Sequence, residues 1–469
     1  MEVRTVTINL TGSNDDVEAT DALARTGDDQ DQMSRGRLTM AWYGTASAFF
    51  FVYIGAAMAS AYGTVNAIIG IVLTIIAYGL INSVLSRYAI NNRTTVAQFS
   101  RTILGNAGSA IAMIIFALIA IYYAVFEGSI VAYAFMTAFG GEMWVWSLVV
   151  VVYSTPLIIG GVRRFLDKIN GILMPIYFFG LVAAVIWAGV QYGFTDAWLT
   201  QAPDVPVPLS MGGPGWLATF AGYMGVWIMM MFTMDFASLG KRKDIAYHQR
   251  VTFGPLFYVL AYGFSAFVGI FLTFTIPGLE ASETGLAGGL VSLMGILGLI
   301  VVIATQTRIN TANYFLGAAN LRAFGEKVFK INMPNIVWVL LSSVIIFLFM
   351  LLPVVEYLLI ALAWQGVLVT AWVAIALTHI LLGRWQNEEH SAIGDQHYKA
   401  FNNNGLIAWV VATLVGIVML QLGTFNPDLA GIGATWGPIL TAVSAALVYG
   451  ILWKTNPVSR TGLIKVVGA

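Results

Sequence analysis

The chain has 469 residues, of which 58% are hydrophobic and only 10% are charged, and its Lys+Arg and Asp+Glu counts are equal at 23 each. Soluble domains carry about 25% charged residues, so this composition indicates a membrane protein that crosses the bilayer several times. The absence of cysteine excludes disulfides, thiolate chemistry and cysteine-based metal sites.

The first 37 residues are polar, rich in acids and without the apolar core of a secretory signal peptide. We interpret this segment, 1–37, as a disordered cytoplasmic tail. Apolar runs follow, each near the length of about 20 residues that a spanning helix needs. The twelve runs cover roughly 39–61, 64–86, 109–137, 144–161, 168–191, 215–239, 253–276, 286–320, 335–352, 355–382, 405–424 and 434–454.

Basic residues are distributed unevenly between the connections of these runs. Lys and Arg occur in the two tails and in every second connection, whereas the intervening loops contain acids such as Glu142, Asp196 and Glu280 but no Lys or Arg. Positive charge marks the cytoplasmic side of a membrane. The sequence therefore predicts an all-α polytopic protein of the cell inner (plasma) membrane, with twelve transmembrane helices, cytoplasmic termini and a C-terminal tail at 455–469.

Four charged residues stand out among those within the apolar runs, where a charge is costly unless it is paired or hydrated. Glu127 lies among tyrosines in the third run; it either faces a central cavity or forms a structural pair with Arg308 or with backbone donors. Asp235, in the sixth run, either caps an interrupted helix, joins a gating ion pair or is an interfacial acid. Arg308 lies too deep in the eighth run to reach the surface. We expect Glu356 to be a solvated acid at the start of the tenth helix.

Glycines lie at matching positions in the first and sixth runs, at Gly44 and Gly225 among others. Transporters build substrate sites from interrupted helices, because unwound backbone is tolerated where it lines a cavity. The match predicts a five-plus-five inverted repeat. Its first half is 38–191, its second half is 215–382, and two further helices occupy 405–454.

Three stretches carry a family resemblance. The sixth run contains GVWIMMMFTMDFASLGK, the connection after the second contains FSRTILGNAGS, and the eighth contains TRINTANYFLGAANL. Their order and spacing resemble motifs of the nucleobase:cation symporter-1 family, the purine/cytosine permease, allantoin and hydantoin transporter group. The similarity covers most of the first ten runs. It implies a leucine-transporter-like fold, with substrate between the first, third, sixth and eighth helices.

The resemblance also implies roles for single residues. Trp227 matches an aromatic of the sixth helix and Phe126 one of the third, which in the family sandwich a flat heterocycle. Such stacking contributes about 0.5–1.5 kcal/mol per pair beyond burial. The alternative for Trp227 is a packing or interfacial aromatic. Asn313 matches an amide that binds the ring, and Asn310 of the same motif is a further candidate for substrate binding.

The sequence departs from the family pattern at two sites, the glutamine amide that contacts the substrate and the site of the coupling ion. Ala48 and Phe49, also candidates for the substrate site, replace a Gln before a Pro. In the family, sodium lies between first-helix carbonyls and eighth-helix hydroxyls, which match Thr307 and Arg308 here. Thr307 is a candidate sodium ligand. The guanidinium of Arg308 instead predicts a tethered cation in place of sodium, and proton coupling through Glu127. Asp235 and Arg308 are the candidates for gating.

These residues predict a secondary transporter that imports a small nitrogen-containing solute, a nucleobase-like heterocycle or a related basic compound, coupled to protons or sodium. An uncoupled facilitator or channel for small amine or guanidino cations is the alternative, and a membrane sensor or scaffold is a third class. The sequence contains no phosphate loop, metal-ligand cluster or nucleophile motif. We therefore expect no enzyme activity, no bound cofactor and no nucleic-acid partner. The expected partners are a small molecule and the lipid bilayer, with monomer or homo-oligomer left open.

Overall fold

The computed structural model describes residues 32–159, 162–203, 213–352, 358–383 and 397–463. The predicted tail at 1–37 lies outside these ranges except for its last six residues, and the first helix already begins at Arg35. Glu356 also lies outside them. In the part that the structure describes, regular structure is helical, with an isolated antiparallel bridge between Tyr398 and Leu463.

The helices are numbered in chain order. Up to residue 192 they are α1 (Arg35–Tyr43), α2 (Phe49–Tyr62), α3 (Thr64–Asn92), α4 (Val96–Leu104), α5 (Asn106–Phe139), α6 (Met143–Ile159) and α7 (Val162–Tyr192). From residue 215 onward they are α8 (Gly215–Met224), α9 (Ile228–Ala237), α10 (Arg242–Thr275), α11 (Glu283–Met294), α12 (Ile296–Phe324), α13 (Asn335–Met350), α14 (Leu358–Leu382), α15 (Asn403–Phe425) and α16 (Ala430–Thr455). The composite helix α10 includes two π-helical stretches, His248–Thr252 and Val259–Phe264.

Seven of the described helices are long and apolar enough to cross a membrane, and nine spans result if each of two bent helix pairs is counted as one. The shorter apolar helices α6 and α13 lie among them. Many Leu, Ile, Val and Phe side chains on the outer faces are exposed, as expected where the surrounding solvent is lipid. The chain is therefore a multi-pass membrane protein.

The predicted interruptions of the first and sixth runs are confirmed. Between α1 and α2 the chain forms a short 3-10 turn at Thr45–Ser47, and the two helices meet at 45°. Between α8 and α9 it is interrupted at residues 225–227, also with a 45° bend. Each break leaves backbone N–H and C=O groups without partners inside a helix.

The eighth apolar run, predicted as one helix over 286–320, is two helices. α11 ends at Met294, and Gly295 adopts φ +59° and ψ −132° before α12 begins. Such a positive φ is readily available only to glycine. A single long helix was the wrong prediction because hydrophobicity continues through the turn, and the one glycine that makes it is not distinguished from the other glycines of the chain.

α12 lies against many other elements of the bundle. It packs along α5 and α7, and it contacts the 3-10 turn Thr45–Ser47. α2 packs closely on α10, where a Cβ added to Gly269 would lie 1.8 Å from the backbone oxygen of Val52. The helix breaks are therefore surrounded by close helix packing.

A C-terminal segment covers the start of α5. The backbone amides of Asn106 and Ala107 donate to the backbone oxygens of Lys399 and Ala400, respectively, both at 2.8 Å. The Lys399 amide in turn donates to the backbone oxygen of Gly462, beyond α16, at 2.6 Å. The first N–H groups of a helix have no partner within it, so the segment between α14 and α15 supplies acceptors for α5.

Candidate functional site

Side chains fix the break between α1 and α2 to α12. Arg308 donates through Nη2 to the backbone oxygen of Tyr43, the last residue of α1, at 3.0 Å. Ser47 donates through Oγ to the backbone oxygen of Thr305 at 3.2 Å. Arg308 is only 1% exposed. Its charge therefore lies against a helix-end carbonyl, a group that carries partial negative charge.

Gln306 links the same break to Glu127. Its Oε1 accepts a hydrogen bond from the backbone amide of Phe49, the first residue of α2, at 3.1 Å. Its Nε2 donates to Oε2 of Glu127 on α5, a residue that is 1% exposed. One side chain thus satisfies a helix-start N–H group and one oxygen of a buried carboxylate. Gln306 is not among the site residues predicted from the sequence.

A small cavity lies between the two helix breaks. Its volume is ≈ 30 Å³, and its lining includes Glu127, Asn313 and, from the breaks themselves, Ala48 and Val226. Sites for drug-sized ligands have volumes of about 300–1,000 Å³, whereas about 10–15 Å³ suffices for one water molecule. The cavity therefore has room for water but not for a heterocycle.

The aromatic rings around the cavity differ from the pair that we predicted. The described lining includes Phe50, Phe51, Tyr123 and Phe232. Phe126 and Trp227 are not part of it: the Phe126 ring lies edge-on to Phe50, and the Trp227 ring lies edge-on to Tyr78, both with centroids 6.5 Å apart. Tyr123 and Glu127, four residues apart, share the face of α5 that lines the cavity. Phe126 lies beside that face, with its ring against Phe50.

Two amides of α12 are buried with unpaired groups in the described structure. Asn313 is 2% exposed and lines the cavity, and its Nδ2 has no hydrogen-bond partner. Asn310 is also 2% exposed, and neither its Nδ2 nor its Oδ1 is paired. It lies near α5, since a Cβ added to Gly128 would be 3.5 Å from its Nδ2. An unpaired buried polar group costs about 1–3 kcal/mol, so these amides are available to water or to a ligand.

Gln365 of α14 holds the second break. Its Nε2 donates to the hydroxyl of Tyr123 at 2.6 Å and to the backbone oxygen of Gly225 at 2.8 Å. It thereby joins α14, α5 and the end of α8 beside the cavity. Sequence reasoning missed this residue, although an isolated amide within a long apolar run was a signal that it contacts other polar groups.

The remaining candidates of α12 and α2 have separate surroundings. The Thr307 hydroxyl lies 3.2 Å from the hydroxyl of Tyr153 on α6. Thr307 and Arg308 therefore contact different helices, and the guanidinium reaches the carbonyl at the end of α1. Phe49 is fully buried, and its backbone amide, described above, bonds to Gln306.

Asp235 belongs to a second polar region at the start of α4. Its Oδ1 accepts a hydrogen bond from the backbone amide of Val96 at 2.8 Å. The contact adds to a capping box formed by Thr95 and Gln98. Asp235 also lines a separate cavity of ≈ 110 Å³ together with Arg101. Asp235 thus caps α4 and not an interrupted helix. The same hydrogen bond connects α9 to α4.

No family model matches the chain, and no curated protein matches it significantly. Solved structures do match. Mhp1, a nucleobase-cation-symport-1 family transporter in a closed conformation with bromovinylhydantoin bound, aligns with a TM-score of 0.67 and 16% identity over 90% of this chain and 93% of Mhp1. Inward-facing Mhp1 aligns with a TM-score of 0.66 and 15% identity over 89% and 90% of the two chains.

More distant transporters share the architecture. A Na⁺-coupled sialic acid symporter aligns with a TM-score of 0.57 and 14% identity over 93% of each chain. The Eremococcus coleocola manganese transporter aligns with a TM-score of 0.53 and 14% identity over 96% of this chain and 98% of its own. At sequence identities of 14–16%, these structural similarities show a shared fold and nothing more. The resemblance inferred from the motifs is confirmed at that level: the chain is a multi-pass membrane protein, helical over the ranges that the structure describes, with the fold of Mhp1, a nucleobase-cation-symport-1 family transporter.

Proposed function

We propose that the chain is a secondary transporter that imports a small nitrogen-containing solute, a nucleobase-like heterocycle or a related basic compound, by alternating access. The observation that carries this proposal is the buried Glu127 carboxylate in a cavity formed where two helices are interrupted. Discontinuous helices supply substrate and ion sites in secondary transporters. The shared fold with a transporter solved in closed and inward-facing conformations supports it.

The proposal includes the full topology expected from the sequence. We assign twelve spans, five plus five of them in an inverted repeat, with both termini in the cytoplasm and the protein in the cell inner membrane. The two 45° breaks support the repeat, since each lies in the first span of its half. The confinement of Lys and Arg to alternate connections supports the orientation.

Glu127 and Asn313 are the proposed polar contacts of the substrate. A bare carboxylate at this depth is costly, so Glu127 carries a proton or binds a cationic or N–H-rich group. The unpaired Nδ2 of Asn313 offers a donor to a ring oxygen or nitrogen. Phe50 and Tyr123 provide aromatic walls, where a cation gains about 0.5–2 kcal/mol from the ring. This combination favours a basic solute.

We further propose that Arg308 takes the place of a coupling sodium ion. Its guanidinium donates to the Tyr43 carbonyl at the end of α1, so a fixed positive charge on α12 holds the break that a bound cation would otherwise hold. Transport is then independent of sodium, and protons carried by Glu127 supply the coupling.

Uptake into liposomes tests the proposal. Purified protein is first screened for thermal stabilisation by nucleobases, vitamins and small amines, because a ligand that binds the folded state raises the melting temperature. A ligand of the cavity loses this effect in Glu127→Gln and keeps it in Glu142→Gln, a matched change at an exposed acid. Stabilisation that persists in Glu127→Gln would place the site elsewhere.

The stabilising solute is then offered to liposomes with a proton gradient, a sodium gradient or neither. We expect accumulation against the solute gradient with protons alone. A strict sodium requirement would reject the role of Arg308. Equilibration without accumulation would favour the uncoupled facilitator.

A further inference from the structure

An apolar groove lies on the outside of the bundle, between α1, α7 and α10. Its volume is ≈ 300 Å³, which is within the range of small-molecule sites and larger than the cavity of ≈ 30 Å³ at Glu127. Its walls include Ala46, Met174, Tyr177, Phe178, Leu260 and Phe264. It is therefore a separate feature from the proposed substrate site.

Three backbone irregularities form this groove. The 3-10 turn at Thr45–Ser47 interrupts the first span, and Pro175 lies inside α7, where a proline has no N–H group for a helical hydrogen bond. The wall from α10 is the π-helical stretch Val259–Phe264, which is wider than an α-helix. Regular helices would pack together here; these three leave a gap.

The walls of the groove do not suit the nitrogen-rich solute. Phe178 and Phe264 stack with centroids 4.8 Å apart. The hydroxyl of Tyr177 already pairs with Ser265 Oγ at 2.5 Å. A polar ligand in this groove would lose its hydrogen bonds with water and gain none from these side chains. The groove therefore selects a hydrocarbon.

The mouth of the groove is continuous with the surface that faces lipid. Ile172 and Phe179, which flank the groove on α7, are 68% and 67% exposed. A Cβ added to Gly171, at the mouth, would have no heavy atom within 4 Å. Among the residues whose side chains the structure describes, hydrocarbon chains of the bilayer thus reach the groove along the apolar outer face of α7.

We propose that this groove holds one acyl chain of a membrane phospholipid. An empty apolar gap forfeits dispersion contacts with its walls, and an apolar gap does not hold water. The surrounding lipid tails are the hydrocarbon present at the highest concentration. The bound chain contacts Ala46, so it supports the first helix break from the lipid side and stabilises this arrangement of α1 against α7. This inference holds whichever solute is carried.

Photolabelling of the full chain in vesicles tests the proposal. The probe is phosphatidylcholine with a diazirine on one acyl chain, added in trace amounts to phosphatidylcholine vesicles, and labelled peptides are mapped by mass spectrometry. We expect labelling at Met174, Leu260 and Phe264 to exceed labelling at Ile172 and Phe179. Equal labelling along the whole outer face of α7 would overturn the proposal, because it would show only the general lipid contact of any spanning helix.

Two variants that fill the groove sharpen the test. Met174→Trp occupies its interior, and Gly171→Leu covers its mouth, where the added side chain meets open space. Each should lower labelling of Leu260 and Phe264 by roughly tenfold, a change of about 1.4 kcal/mol in occupancy, while Ile172→Trp on the neighbouring outer face leaves it unchanged. Unchanged labelling in Gly171→Leu would refute the proposal even if Met174→Trp did not fold. Because labelling is the readout, a failed transport assay would not affect this result.

Discussion

Replacing Gln306 by leucine tests how the first helix break is connected to α5. The change removes the acceptor of the Phe49 amide and the donor to Glu127. Each unpaired buried group costs about 1–3 kcal/mol, so we expect the free energy of unfolding to fall by roughly 2–6 kcal/mol for the two groups together. Chemical denaturation in detergent micelles, followed by tryptophan fluorescence, measures this loss. Gln191→Leu, at an exposed position, should change it by less than about 0.5 kcal/mol.

A double-mutant cycle isolates the contact between Gln306 and Glu127. Glu127→Leu alone leaves the Gln306 amide without its acceptor, whereas the double leucine variant removes both partners and leaves neither of them unpaired. We expect a coupling of about 0.5–3 kcal/mol, the range found for residues in contact. If the losses of the single variants add up to that of the double variant within about 0.5 kcal/mol, the hydrogen bond does not stabilise the break and the reasoning is wrong.

Three further predictions concern other parts of the bundle. Gln365→Leu leaves the Tyr123 hydroxyl and the Gly225 carbonyl unpaired, and should lower the unfolding free energy by roughly 2–6 kcal/mol in the same denaturation assay; an unchanged value would contradict its role. Burial raises the pKa of Glu283 at the start of α11, so the folded state holds a proton more tightly than the unfolded state, and stability should fall as pH rises above the ordinary carboxyl pKa. Glu283→Gln should flatten this dependence of the melting temperature on pH, and an identical slope would count against it. Gly269→Ala places a methyl group against the Val52 backbone oxygen and should lower the melting temperature through overpacking, at about 1–3 kcal/mol; no change would show that α2 and α10 separate easily.

Hydrophobic runs and glycine positions were sufficient to predict the membrane class and the two interrupted spans. Both signals are local, since a spanning helix is recognised by its own length and apolarity. The turn at Gly295 was missed because its flanks are equally apolar. The positive φ of Gly295 alone separates α11 from α12.

The candidate site was predictable only in part. Glu127 and Asn313 line one cavity, because charged and amide groups at this depth need polar surroundings. The orientation of Trp227 was not readable from sequence, since it depends on the rotation of a broken helix. Gln306 and Gln365 were missed because each binds one backbone group at a helix break as well as one side chain of α5. Neither contact is visible in a sequence motif.

The short helix α4 is fastened at its two ends to different parts of the molecule. At its start the Val96 amide binds Asp235 on the broken sixth span, and just past its end the amides of Asn106 and Ala107 bind the segment that leads into α15. These nine residues therefore connect a discontinuous helix to the last two helices. We expect a displacement of α9 to reach the C-terminal pair through α4, in addition to the direct packing of α16 on α8.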